Sequence, residues 1–492
     1  SGARSARWAL QIARCAIPGV VCAGVLGLAL LLCFYRLGEG SLYDWDEAIY
    51  AQAAREMLLS NVWGTLSWDG SPFFHKPPLY FWLTALSYDI LGVDEFAARL
   101  WPASFGFGVV VLTFFLGVRL HSWPAGAGAA VLLLIVDQHY YSQWWNFLSL
   151  TRTAMLDIPL TFWVTLACVL VWEAERRPWL LALTGIPLGL AVMTKAWPGL
   201  LAALIPFIYR CGAGRLGQEH RSGRMAYWGV AGLLAGVLIL PWHLWEHALY
   251  GALFWREYGG SNLMGRVFEV VEEHLGGPLF YLDVIRQGFS IWGFLGAPAY
   301  LWTLWRGLGQ GDRRALLLLS WITVPLLLFS LAQTKLGWYI ALVYPPVALM
   351  LAIALAQLLT ARVAFGVVAA VTLLCCIRLP TPADGSPDVK EFAPSVEQYV
   401  VRAQVLYVVQ PACPTPGASL TAGTMLLAKT HVRAALRFYL NRPLICIEER
   451  EVLSERPLPE GYVVSDRASW HRFAHRGRIV VDGEKYILAQ WN

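Results

Sequence analysis

Uncharged apolar runs separated by short polar loops recur along most of this chain. The first, Cys15–Phe34, is twenty residues without a charge, enough for a helix to cross a hydrocarbon core of about 30 Å. Ten more follow at 100–118, 122–136, 157–173, 178–194, 196–209, 227–246, 287–305, 315–334, 338–359 and 363–378. The pattern predicts a mainly α, polytopic transmembrane helical bundle of about 11–13 spans, the higher figure applying if 78–92 and 139–149 also cross. Pro78–Gly92 is apolar, aromatic and short, and reads as a helix lying in the interface. Before it, Glu47–Ser60 repeats Ile49, Ala53 and Met57 at helical spacing, which predicts an amphipathic surface helix. A cleaved signal peptide is not expected, because the first run is long and many more follow.

The pattern changes near residue 380. Residues 380–399 are rich in proline and acids and read as a linker. Beyond it, Val405–Val409, Leu444–Ile447, Tyr462–Ser465, Arg478–Val481 and Tyr486–Ala489 are strand-like, and His431–Leu440 is helix-like. This predicts a transmembrane domain at 1–379, with a large outer loop at 35–99, and a small C-terminal soluble α/β domain at 380–492.

Composition agrees with a membrane protein: 57% of residues are hydrophobic and 14% charged, against about 25% charged in ordinary soluble domains. The net charge of +5 is not a nucleic-acid footprint, because the basic residues gather in short loops. Arg4, Arg7 and Arg14 precede the first run, Arg210, Arg215, Arg221 and Arg224 share one loop, and Arg306, Arg313 and Arg314 share another. Eleven crossings put all of these, with the N-terminus, in the cytoplasm. The loops 35–99, 137–156, 247–286 and 335–337, and the C-terminus, then lie outside. Of nine cysteines, six lie in apolar runs and read as packing residues. Cys413 and Cys446 are the pair in the tail, open to a disulfide if it faces an oxidising compartment.

That topology gathers polar residues on the outer side. Asp44, Asp46, Glu47, Tyr50, His75 and Lys76 lie in the first outer loop, and Arg152 and Asp157 close the second. Lys195 opens a span from outside, His274 lies in the next outer segment, and Lys335, Trp338 and Tyr339 form the last. Carboxylates among several cations at a bilayer boundary suit acid–base chemistry on an anionic lipid headgroup. Each residue also has a plain reading. Asp46 and Glu47 are favourable at a helix N-terminus. Lys76 can snorkel to headgroups, Asp157 can cap its span, Lys195 can be a turn residue and His274 a solvated loop residue. His75 has no second spaced histidine, so no metal is indicated, although a divalent ion stays possible.

Several motifs carry a family resemblance. From Leu42 the chain reads DWDEAIYAQAAREML, WDGSPFFHKPPLYFWL and GVDEFAARLWP; LTRTAMLDIPL, VMTKAWPGLL, EEHLGGPLFYL and QTKLGWYIALVYPPVAL follow by residue 349. In order, over about 310 residues, these resemble the membrane glycosyltransferases of GT-C type, the superfamily of lipid A aminoarabinose transferases and protein O-mannosyltransferases. The resemblance implies Asp46 as catalytic carboxylate, Lys76 as the contact for the donor's lipid phosphate, and Asp157 as a second active-site carboxylate beside Arg152. His75 stands where many aminoarabinose transferases have Glu, and Ala48 where they tend to have a larger polar residue, which leaves the sugar open.

The implied activity is inverting transfer of a single sugar from a polyprenyl-phosphate donor to a lipid, glycan or protein acceptor. It would take place on the outer face of a bacterial inner membrane, as in lipid A modification. No soluble cofactor and no nucleic-acid partner is implied. A transporter or flippase of lipid-linked sugar, and a ligase of whole lipid-linked glycans, are the alternatives. Charges at one boundary and the lack of repeated halves speak against transport.

Overall fold

A computed structural model of the chain describes residues 2–68, 70–135, 146–215, 225–264, 276–375, 379–380, 382, 384–401, 404–410, 434–442, 444–454 and 460–491. Each of the eleven apolar runs is helical where it is described. In chain order the first helices are α1 (Gly2–Phe34), α2 (Asp46–Ser60), α3 (Leu79–Leu91), α4 (Glu95–Leu120) and α5 (Trp123–Leu133). After these come α6 (Phe147–Thr151), α7 (Asp157–Glu173), α8 (Leu180–Leu183), α9 (Gly185–Lys195), α10 (Leu201–Arg215) and α11 (Met225–Tyr250).

Among the described residues, four helical stretches are long and apolar enough to cross a membrane: α4, α11, Arg313–Leu331 and Gly337–Leu358. Turns divide some of the other runs. The run at 178–194 divides at Thr184 into α8 and α9, and the next opens with a 3₁₀ turn, Trp197–Leu200, before α10. At 13 residues, α3 spans about 20 Å and is too short to cross alone. Of the segment 139–149, residues 139–145 lie outside the described residues and 147–149 belong to α6.

Small residues let the helices approach closely. A Cβ on Gly117 of α4 would lie 2.5 Å from Cα of Gly126 on α5, so neither position accepts a side chain without parting the pair. One large apolar cluster fills the bundle, with Tyr344–Leu358 at its centre.

The C-terminal sheet has five strands, β3 (Leu406–Gln410), β4 (Leu444–Glu448), β5 (Tyr462–Asp466), β6 (Gly477–Asp482) and β7 (Tyr486–Trp491). A small hairpin between α2 and α3 supplies β1 (Ser67–Trp68) and β2 (Ser71–Pro72). The order in the large sheet is β4-β3-β5-β7-β6, parallel among β4, β3 and β5 and antiparallel beyond. The five strand-like runs of the sequence are these five strands.

The stretch expected as a linker carries a helix, Pro387–Glu397, that buries Val389, Phe392, Ala393 and Val396. Those positions follow helical spacing, which outweighs the proline-rich composition. Their side chains join one apolar cluster with α2, α3, the start of α4 and the sheet. Polar contacts lock the same boundary. Asp384 accepts from the Ser41 N–H at 3.0 Å and its hydroxyl at 2.5 Å, and Lys390 pairs with Glu95 at 2.6 Å. Cys446 is held in a disulfide; Cys413, its expected partner, lies outside the described residues.

Candidate active site

The acids at 44–47 diverge in what they do. The Glu47 carboxylate is fully buried and accepts four hydrogen bonds. Arg99 donates from Nε at 2.8 Å and from Nη2 at 3.2 Å, and the backbone N–H groups of Tyr43 and Ala154 donate at 2.8 Å each. Arg99 spends its remaining donors on the carbonyls of Leu37, Glu39 and Ser41. All five guanidinium N–H bonds are thus used. The pair ties loop 37–47 to α4 and to the loop after α6, so Glu47 acts as a strut rather than an open ligand. Burial, then the Glu47 charge, pushes the neighbouring Tyr43 hydroxyl up to about 12. Asp44 accepts from the Ala435 N–H at 3.1 Å, and the Leu42 N–H donates to the Tyr439 hydroxyl at 2.7 Å.

Asp46 lies half-buried at the first turn of α2. Trp45 before it has φ +81°, a conformation costing about 1–3 kcal/mol that persists only when its surroundings impose it. The Glu47 and Asp44 anchors on either side supply that constraint.

A second carboxylate lies deeper. Asp157 opens α7 and Lys195 ends α9, and Lys195 Nζ stands 2.5 Å from Asp157 Oδ1 with both side chains buried. An acid at a helix start and a base at a helix end suit the two helix dipoles as well as each other. Lys195 Nζ also sits 5.0 Å from the centre of the Tyr339 ring, a cation–π contact. Asp46 and Lys76 both lie near enough to act electrostatically on Asp157. Ala196, directly after Lys195, has φ +52°, a second strained residue beside the charges.

Lys76, Asp157, Lys195, Ala196 and Tyr339 border one cleft. Of the residues anticipated from sequence, His75, Lys76, Asp157, Lys195 and Tyr339 line it. Leu160, Ala196, Trp197, Pro198, Tyr258, Phe329, Ala332 and Thr334 complete the wall. Two cations and a carboxylate therefore share a cavity with aromatic and aliphatic walls, which suits an amphiphile with an anionic head. Trp197 and Pro198 fall inside the KAWPG motif and were within reach of sequence reasoning. Tyr258 and Phe329 carried no signal.

Other anticipated residues sit elsewhere. Tyr50 is buried edge-on to Phe81 at 5.6 Å, within the α2–α3 core. Trp338 packs against the bundle core. Arg152 is buried, and its Nη1 donates to the carbonyls of Leu32 and Cys33 at 3.0 and 3.2 Å. It thereby satisfies orphan carbonyls at the end of α1 rather than facing the cleft. Burial and then the Arg99 charge lower its pKa to about 10, which still leaves it protonated at neutral pH. Lys335 donates to the carbonyls of Ser330 and Ala332 at 3.0 and 2.6 Å, closing the helix before it. His274 lies outside the described residues. Among the described residues, no group of three or more His, Cys, Asp or Glu side chains gathers to hold a metal.

Comparison with known proteins adds context to this geometry. Residues 25–255 match the family described as dolichyl-phosphate-mannose-protein mannosyltransferase. An undecaprenyl phosphate-α-4-amino-4-deoxy-L-arabinose arabinosyl transferase of Pseudomonas fluorescens is 31% identical, over 69% of this chain and 58% of its own length. The transferase of that name from Edwardsiella ictaluri is 30% identical, over 67% of this chain and 59% of its own. The chain thus spans under two thirds of the length of these relatives. The crystal structure of ArnT from Cupriavidus metallidurans bound to undecaprenyl phosphate shares the fold, with TM-score 0.71 and 17% identity over 95% of this chain and 97% of that one. An Archaeoglobus fulgidus oligosaccharyltransferase aligns with TM-score 0.57 and 16% identity, over 90% of this chain and 68% of its own.

Proposed function

Because this chain belongs to the GT-C superfamily of membrane glycosyltransferases, we propose that it transfers a single sugar from a polyprenyl-phosphate donor. The acceptor is a lipid, glycan or protein on the outer face of the membrane. The observation carrying this reading is the meeting of Lys76, Lys195 and Asp157 in one aromatic-walled cleft, with Asp46 at its electrostatic edge.

The reaction is a single displacement with inversion. The acceptor oxygen attacks the anomeric carbon as the bond from that carbon to the phosphate oxygen breaks. Asp46 takes the acceptor's proton, and the polyprenyl phosphate leaves as an anion. Lys76 and Lys195 face that growing negative charge. Asp157 holds the Lys195 ammonium in place through their ion pair. Tyr339 and Trp197 offer ring faces to the sugar or to the first isoprene units. An acceptor that is already ionised, such as a phosphate, would need Asp46 only to orient it.

The disulfide at Cys446 supports an oxidising, outer location for the C-terminal segment, and hence for the loop 41–55 that docks on it. In the test, the chain in lipid nanodiscs is given undecaprenyl-phosphate sugars with cell-envelope lipids, and free undecaprenyl phosphate is followed by mass spectrometry. Release by the wild type, abolished in Asp46→Asn at unchanged folding, is the expected result. Asp46→Asn turning over near the wild-type rate would remove that carboxylate from the mechanism.

A further inference from the structure

Tyr258 lines the cleft, and its hydroxyl meets His243, a residue outside the lining. It lies in a π-helical stretch, Arg256–Met264, a widened backbone that concentrates at functional sites. The residue is buried, with Phe254 stacked on its ring at 5.0 Å and Trp242 meeting it edge-on at 5.8 Å. Two aromatic neighbours therefore leave its ring little freedom.

The hydrogen-bond chain fixes which way the hydroxyl points. His243 Nδ1 lies 2.8 Å from the Ile239 carbonyl oxygen. A carbonyl only accepts, so Nδ1 carries the proton of the neutral ring and Nε2 is an acceptor. His243 Nε2 stands 2.9 Å from the Tyr258 hydroxyl, so the tyrosine donates its proton there. The lone pairs of its oxygen remain for a donor arriving from the cleft.

We infer that Tyr258, oriented by His243, determines sugar specificity by accepting a hydrogen bond from a hydroxyl or amino group of the transferred sugar. This rests on the donor reading above. The Lys76, Lys195 and Asp157 end of the cleft handles charge, and Leu160 and Phe329 offer only carbon and ring faces. Tyr258 is a neutral polar group of the wall able to tell one sugar hydroxyl from its absence. A site built to bond a substrate hydroxyl discriminates strongly against the analogue lacking it, because its own polar group is then stranded.

The test uses the full chain in nanodiscs with the undecaprenyl-phosphate sugar that the wild type turns over and the monodeoxy analogues of that sugar. Tyr258→Phe keeps the ring stack and removes only the oxygen; His243→Phe keeps the bulk and removes the acceptor that orients it. For one analogue, the wild type should prefer the parent sugar by about 10–100-fold in kcat/KM. Tyr258→Phe should bring that ratio to within about threefold in protein that still unfolds cooperatively, and His243→Phe should narrow the same ratio. Identical ratios in wild type and Tyr258→Phe for every analogue overturn the inference while the donor reading stands. No undecaprenyl phosphate released by the wild type from any donor overturns both.

Discussion

Replacing Glu47 with Gln separates scaffold from chemistry in a loop where three acids lie within four residues. The Glu47 oxygens share four donors in two pairs: Oε1 takes Arg99 Nε and the Ala154 N–H, and Oε2 takes Arg99 Nη2 and the Tyr43 N–H. A glutamine can offer one oxygen to one pair. Its amide nitrogen, itself a donor, then faces the other. Whichever way it turns, two hydrogen bonds are lost and two buried N–H groups are stranded, at about 1–3 kcal/mol each. The same change leaves the fully buried Arg99 cation without its counter-ion, and breaking such pairs costs about 3–5 kcal/mol. The first route gives about 2–6 kcal/mol and the second falls inside that range, so Glu47→Gln should lower the thermal unfolding midpoint in nanodiscs, read by tryptophan fluorescence, by several degrees. Asp46→Asn, one residue away and half-buried, should leave that midpoint unchanged. Equal midpoints for Glu47→Gln and the wild type would refute the assignment of Glu47 as the strut of this loop.

Other expectations follow from the same contacts. Lys195→Met strands the buried Asp157 carboxylate and should destabilise by about 3–5 kcal/mol; adding Asp157→Asn should restore the unfolding midpoint but not turnover. Tyr439→Phe removes the acceptor for the Leu42 N–H and the donor to Glu95 at 2.9 Å. It should loosen the C-terminal segment by about 1–2 kcal/mol, seen as faster limited proteolysis after residue 380 with the bundle intact. Cys446→Ser should abolish a mobility difference between reduced and non-reduced gels and lower the midpoint by about 2–5 kcal/mol equivalent. An unchanged gel pattern would remove the disulfide.

The helices and strands were legible because each carries its own period. Apolar runs of about 15–20 residues can only be helices in a membrane-like core. The alternation after residue 400 marked the strands. The helix at Pro387–Glu397 was hidden behind proline and acid content, although Val389, Phe392, Ala393 and Val396 already stood at helical spacing. Within the site, position relative to the runs found His75, Lys76, Asp157, Lys195 and Tyr339, all of which border the cleft. It could not separate Lys195 from Lys335, since both are lysines at a run boundary. One pairs with Asp157 and the other with backbone carbonyls.

The sequence by itself determined that this is a helical membrane protein with a β-containing tail, and that its acids and bases cluster at span ends. Hydrophobic period and charge are local properties, readable residue by residue. Only the tertiary structure decided which acid is held and which is open. Asp44, Asp46 and Glu47 are chemically alike and adjacent, and what divides them is Arg99, fifty-two positions beyond Glu47, and Ala435, 391 beyond Asp44. It also decided that Arg152 closes α1 instead of meeting the cleft, and that Tyr258 and His243 join at its wall. Those outcomes depend on which groups folding brings within hydrogen-bonding distance of one another, and no pattern along the chain encodes that distance.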